Sequence, residues 1–105
     1  MGPNGQRIGA SPELRAALSA LIGRTVVAAI APAADANPIV SFAGVLEGAA
    51  EHGDDRPALS IVVGGQHLTL WPQQLHNLRV ERDPRDGTFQ LRLPEGAVIT
   101  FYAAR

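Results

Sequence analysis

Two short stretches of alternating apolar and polar residues face each other across a pair of glycines, and this hairpin constrains the chain more than any other feature. Ala58 to Val63 and Gln66 to Trp71 flank Gly64-Gly65. A two-residue connection between twisted strands needs a type I′ turn, with positive φ at both central residues, which glycine adopts without steric cost. Counting outward from the turn pairs Val63 with Gln66, Val62 with His67, Ile61 with Leu68, Ser60 with Thr69, Leu59 with Leu70 and Ala58 with Trp71. A one-residue slip would move the aliphatic set to the wrong face, so the register is well specified.

The same period continues on both sides. Thr25 to Ala31 reads as a first strand, closed by the Ala/Pro/Asp/Asn segment Pro32 to Pro38. Ile39 to Ala49 is a long apolar run in which Gly44 and Gly48 mark a bulge or sharp bend. Ala50 to Pro57 reads as a polar turn. Leu78 to Arg82 and Thr88 to Leu93 form a second hairpin around Asp83-Pro84-Arg85-Asp86-Gly87, a strong turn sequence. Setting Val80 opposite Leu91 puts Arg79 against Arg92. Pro72 to Asn77 reads as a turn or a single helical turn, and Ala97 to Ala103 as the last strand.

Only Ser11 to Gly23 departs from this period. Ser11 can accept a hydrogen bond from the first helical turn, Pro12 suits N1, and Glu13 complements the helix dipole. Leu14, Ala17, Leu18, Leu21 and Ile22 fall on one stripe. Gly23 suits the left-handed residue that ends a helix. The stripe must lie on the strands, with Leu14, Leu18 and Ile22 covering their apolar interior. The expected fold is mainly β: a small antiparallel barrel of five or six strands with one N-terminal α-helix. Residues 1–10 carry no apolar periodicity and read as a flexible lead-in, and 11–105 as a single domain.

The order resembles small barrels of the Sm-like and SH3-like type. The run Val40-Ser-Phe-Ala-Gly-Val-Leu-Glu-Gly-Ala49 looks like the second strand of an Sm-like domain, where a glycine permits curvature. The Asp and Asn that bind RNA in the Sm loops have no matching positions here. The second glycine motif is also absent, since the chain reads Leu-Trp-Pro-Gln-Gln-Leu from Leu70. The resemblance implies a barrel that binds protein or nucleic acid and assembles into rings or dimers, and it carries over no binding residue.

Composition narrows the chemistry. With 46% hydrophobic and 18% charged residues, the chain belongs to the globular class. It has no cysteine, which removes disulfides, thiolate zinc sites and thiol catalysis. No apolar run approaches a membrane span and the N-terminus lacks a signal-peptide core, so a cytoplasmic protein without a membrane partner is expected. All nine basic residues are arginine, against ten acidic ones, for a formal net charge of −1. GC-rich codon usage accounts for the absent lysine and abundant alanine, and the balance draws the chain to neither nucleic acid nor anionic lipid.

The candidate sites are few. His52 beside Glu51, Asp54 and Asp55 offers metal ligands, but a solvated acidic loop explains the same residues. His67 reads as a strand-face residue near the hairpin tip. No Gly-x-Ser-x-Gly elbow accompanies the four serines, so nucleophilic catalysis is not expected, nor any cofactor or metal. Arg79, Arg82, Arg85 and Arg92 gather on the second hairpin, and Arg79 facing Arg92 costs stability unless an anion lies nearby. Interleaved Glu81, Asp83 and Asp86 supply local ion pairs as the plainer account. Trp71 could be an exposed platform for a peptide or base, but a core this poor in aromatics is expected to bury it. The binding candidates are therefore Arg79, Arg82, Arg85, Arg92 and Trp71. The function that follows is a non-catalytic interaction or assembly module, self-associating or binding a protein. RNA binding is the first alternative, and a small-molecule pocket at the barrel mouth, with His67 or His76, the second.

Overall fold

A computed structural model describes residues 11–53, 58–83 and 85–103. The expected lead-in over residues 1–10, and Asp54 and Asp55 of the metal candidate, lie outside the described residues. The chain forms α1 (Pro12–Leu21), β1 (Thr25–Ala31), β2 (Val40–His52), β3 (Ala58–Val63), β4 (Gln66–Leu70), α2 (Pro72–His76), β5 (Arg79–Arg82), β6 (Phe89–Arg92) and β7 (Val98–Ala103). The strands make one antiparallel sheet in the order β4-β3-β2-β1-β7-β6-β5.

That order corrects the expected barrel on two points. There are seven strands, not five or six, because both hairpins contribute two separate strands and each remaining segment pairs as well. The sheet is also not closed: β4 and β5 are its two edges. They differ in character. Edge β5 carries Arg79, Glu81 and Arg82, the charges with which proteins discourage edge-to-edge pairing, whereas β4 (Gln66–Leu70) carries no acidic residue and no arginine.

The bend comes from β2. Its first half pairs with β1, from Val40↔Ile30 to Val45↔Thr25, and its second half with β3, from Leu46↔Val63 to His52↔Ala58. A bulge between Leu46 and Gly48 separates the two halves, and Gly48 has φ +152 there. One long strand thereby serves two directions of sheet. Ala50, Glu51 and His52 belong to β2 and not to the expected turn, because the ladder with β3 continues through them. The two Gly-rich sites meet in space. A Cβ on Gly44 would lie 2.5 Å from Gly64 Cα, and Gly64 N donates to Val45 O at 2.9 Å. The β3–β4 turn is seated directly on β2.

Both hairpin registers agree with the pairing read from the sequence, Leu59↔Leu70 to Val63↔Gln66 and Arg79↔Arg92 to Arg82↔Phe89. Gly64 and Gly65 have φ +57 and +82, as a type I′ turn needs. Ser11 Oγ accepts from Leu14 N at 3.2 Å and caps α1. Leu14, Ala17, Leu18 and Leu21 are buried in the core with Val26, Ala28, Leu46, Ile61, Leu91 and Phe101. Ile22 does not join them. The helix stops at Leu21, Ile22 takes extended angles, and its side chain is 49% exposed. Phe89 and Phe101, adjacent on β6 and β7, stack with centroids 4.9 Å apart, an arrangement worth about 0.5–1.5 kcal/mol beyond the area buried. Arg15 Nη2 reaches Glu51 Oε2 at 3.0 Å, tying α1 to the end of β2.

Candidate functional site

Sheet alternation sorts the central strands into two faces. Val26, Ala28, Ile99 and Phe101 point to the core. The opposite face presents Thr25, Val27, Ala29 and Ala31 from β1, Ser41, Ala43 and Val45 from β2, and Val98, Thr100 and Tyr102 from β7, as the cross-strand pairs dictate. No acidic or basic side chain occurs anywhere in β1, in β7 or in β2 from Val40 to Leu46. The outward face is unevenly exposed: Ala29, Ala31 and Val98 are buried, while Val45 and Tyr102 stand 44% and 40% exposed. The face is uncharged, and its exposed part lies around Ala43, Val45 and Tyr102.

Two of the four candidate arginines rim this face. Arg92 follows from Val98 in the β6–β7 register, and Arg79 is its partner on β5. Both sit on the outward side with Glu81 and Gln90. Arg92 Nε lies 2.9 Å from Glu81 Oε2, but its N–H is not aligned on that oxygen, and this buried Nε has no hydrogen-bond acceptor among the described residues. The contact is therefore electrostatic attraction without a directed hydrogen bond. Arg92 Nη2 makes only a long bond, 3.5 Å, to Gln90 Oε1. Arg92 takes the one carboxylate and Arg79 pairs with no described residue, so this corner carries an excess positive charge.

The other two arginines are elsewhere. Arg82 pairs with Phe89 and projects from the opposite face of β5. Arg85 stands in the β5–β6 turn, where its Nε and Nη2 donate to Asp83 Oδ1 and Oδ2 at 3.2 and 3.1 Å. Asp83 also accepts from Arg85 N at 2.9 Å. The Arg85 side-chain hydrogen bonds hold the Asp83 carboxyl below its ordinary pKa, and the same bonds raise Arg85. The hairpin thus carries a two-arginine corner, not a four-arginine face.

Trp71 overturns the core expectation, since it is 56% exposed. The residue before a proline is held extended, and Pro72 opens α2 immediately afterward. Trp71 N donates to Gln74 Oε1 at 2.9 Å. Leu75, not the indole, is the residue this turn buries. The core is filled instead by the stacked Phe89 and Phe101.

The histidines make no catalytic set. His67 Nδ1 lies 3.1 Å from Ser60 Oγ, a contact that satisfies a hydroxyl 6% exposed, and no carboxylate bonds this imidazole among the described residues. His52 is a strand residue at the end of β2. Among the described residues no three His, Asp or Glu side chains gather as metal ligands, and no helix is long and apolar enough to cross a membrane.

No family model, no curated protein and no solved structure matches this chain. The signal for the outward face was present in the sequence: three segments without a charge, each seven residues or fewer. Which face of each segment the helix would leave bare was not readable there.

Proposed function

We propose that this domain is a non-catalytic assembly module in which two copies associate through the outward face of β2, β1 and β7. The absence of any charge from that face carries the reading. An uncharged face meets its own copy without like-charge repulsion, which a face bearing one sign of charge cannot do. Exposed Ala43 has a small side chain that lets a second sheet approach, and Val45 and Tyr102 supply apolar area beside it. The N-terminal helix, the bent β2 and the return of the last strand to β1 support kinship of fold with the Sm-like and SH3-like barrels.

Size sets the expected strength. Three strands at about 4.8 Å spacing and about 3.3 Å per residue span roughly 15 by 23 Å, or some 350 Å² in plan. Stable dimers bury roughly 800 Å² per partner. This face alone therefore gives a concentration-dependent dimer, strengthened when an acidic group of the partner reaches Arg79 and Arg92. Sedimentation equilibrium from micromolar to millimolar chain tests the reading. Wild type should shift from monomer to dimer, and Ala43→Arg and Val45→Asp, both at exposed positions, should remain monomeric with unchanged circular dichroism. A strictly monomeric wild type across that range overturns it.

The Arg79–Arg92 pair favours one other reading, contact with a nucleic-acid backbone. A single excess charge predicts weak binding that vanishes with added salt. Titration of single-stranded RNA at low ionic strength, with Arg79→Gln as the control, separates it from assembly.

A further inference from the structure

A cleft of about 650 Å³ lies between the C-terminal end of α1, the β5–β6 turn and the end of β7, far larger than a packing defect. Arg24, Arg85, Asp86, Thr88 and Tyr102 line it, with Ala20 and Ala103 as an apolar wall. The cleft is built into the fold. Gly87, with φ +80, sits so near α1 that a Cβ there would meet Leu21 Cδ2 at 3.4 Å, and Leu21 is fully buried. The turn thus lies against the helix end.

The charges of this cleft are only partly balanced by one another. Arg85 is occupied by Asp83. The Arg24 guanidinium makes no ion pair or hydrogen bond with any described residue. Asp86 accepts from Thr88 N at 2.9 Å through Oδ1 and attracts Arg85 through space, but it closes no ion pair among the described residues and borders the same space as Arg24. An anion alone would be attracted by Arg24 and repelled by Asp86, and a cation alone would meet the reverse. A ligand carrying both signs satisfies both groups.

We propose that this cleft binds a small zwitterion of amino-acid type, its carboxylate on Arg24 and its ammonium on Asp86. The guanidinium fork matches a carboxylate. Tyr102, Ala20 and Ala103 in the lining suit an apolar side chain. Both charges border solvent, so the affinity is modest and in the millimolar range. This site is separate from the assembly reading, although Tyr102 borders both surfaces.

Titration of the full chain, followed by amide and arginine side-chain NMR at fixed ionic strength, tests the inference. L-leucine should shift Gly87, Thr88 and the Arg24 Nε–H signals along one saturable curve. Acetate and methylammonium, each bearing half of the charge pattern, should bind at least about tenfold more weakly, and Arg24→Gln should cost L-leucine about tenfold, a loss the size of one directed charge contact. Asp86→Asn, which keeps an oxygen for Thr88 N, should weaken L-leucine and leave acetate equal or stronger. Failure of L-leucine to saturate overturns the inference. So does undiminished binding by an Arg24→Gln variant that keeps native signal dispersion, and acetate binding as tightly as L-leucine removes the zwitterion class.

Discussion

Replacing Gly44 with alanine should destabilise this domain more than replacing a glycine that needs positive φ. The new Cβ would lie 2.5 Å from Gly64 Cα and 2.9 Å from Gly64 N. Carbon atoms pack at about 3.5–4.0 Å, so the β3–β4 turn must lift off β2 by about 1 Å. Both sides of the contact are backbone, and no side-chain rotation relieves it. Overpacking of this kind costs about 1–3 kcal/mol. The lift also strains the bond from Gly64 N to Val45 O, worth about 0.5–1.5 kcal/mol. Reduced freedom of the unfolded chain returns about 0.4–1 kcal/mol. The net loss is about 2–3 kcal/mol, a large share of the roughly 5–15 kcal/mol available to a domain of this size. Gly65→Ala is the comparison. Gly65 has φ +82 but nothing within 4 Å of its would-be Cβ, so only the left-handed penalty of about 1–2 kcal/mol applies, with the same offset. Urea unfolding followed by circular dichroism reads both. With a slope of about 1–3 kcal/mol per molar, Gly44→Ala should lower the midpoint by about 1–2 M and Gly65→Ala by less than half of that. A Gly44→Ala midpoint equal to wild type would refute the seating of the turn on β2.

Other expectations rest on single contacts. Ser11→Ala removes the α1 cap and should cost about 1 kcal/mol by urea unfolding, with Ser11→Asp restoring it. The Asp83 carboxyl, lowered chiefly by its Arg85 hydrogen bonds, contributes stability that is complete above the ordinary aspartate range and is lost as pH falls through the lower folded value. Its carboxyl carbon NMR titration should therefore have a midpoint below the ordinary aspartate value, and Arg85→Gln should move it back up. Trp71→Ala should change stability by about 0.5 kcal/mol or less, and the native indole should be freely quenched by acrylamide; a shielded indole would contradict its exposed placement.

Much of this architecture is legible in local chemistry. Gly64-Gly65 and the flanking alternation dictate one turn and one register, and Asp83 to Gly87 does the same for the second hairpin. Ser11, Pro12 and the Leu14/Leu18/Leu21 stripe define α1 without help from the rest of the chain. What escapes is decided by distant residues. Sheet closure depends on whether β4 meets β5, and no local pattern reports that. Trp71 is apolar and abundant in contact area, so propensity buries it, yet Pro72 fixes it at a helix entry while Phe89 and Phe101 fill the interior. Ile22 obeys the helical spacing but falls one residue past the helix end. The arginine hairpin is legible in register and not in balance, because Asp83 captures Arg85 and alternation sends Arg82 to the other face. The Arg24 cleft joins segments about sixty residues apart, beyond the reach of sequence spacing.

The position of β1 has a consequence for how the chain is made. It lies between β2 and β7, and its second neighbour is encoded about 70 residues after it. At ribosomal speeds of about 5–20 residues per second, that neighbour emerges roughly 4–14 s later. Throughout this interval the central strand of the sheet has an open, uncharged edge, and it cannot be protected by local hairpin formation. Nascent chains should therefore be most prone to mispair or to need a chaperone just before residues 98–103 appear, and a stop codon in that region should yield aggregated protein and not a folded fragment.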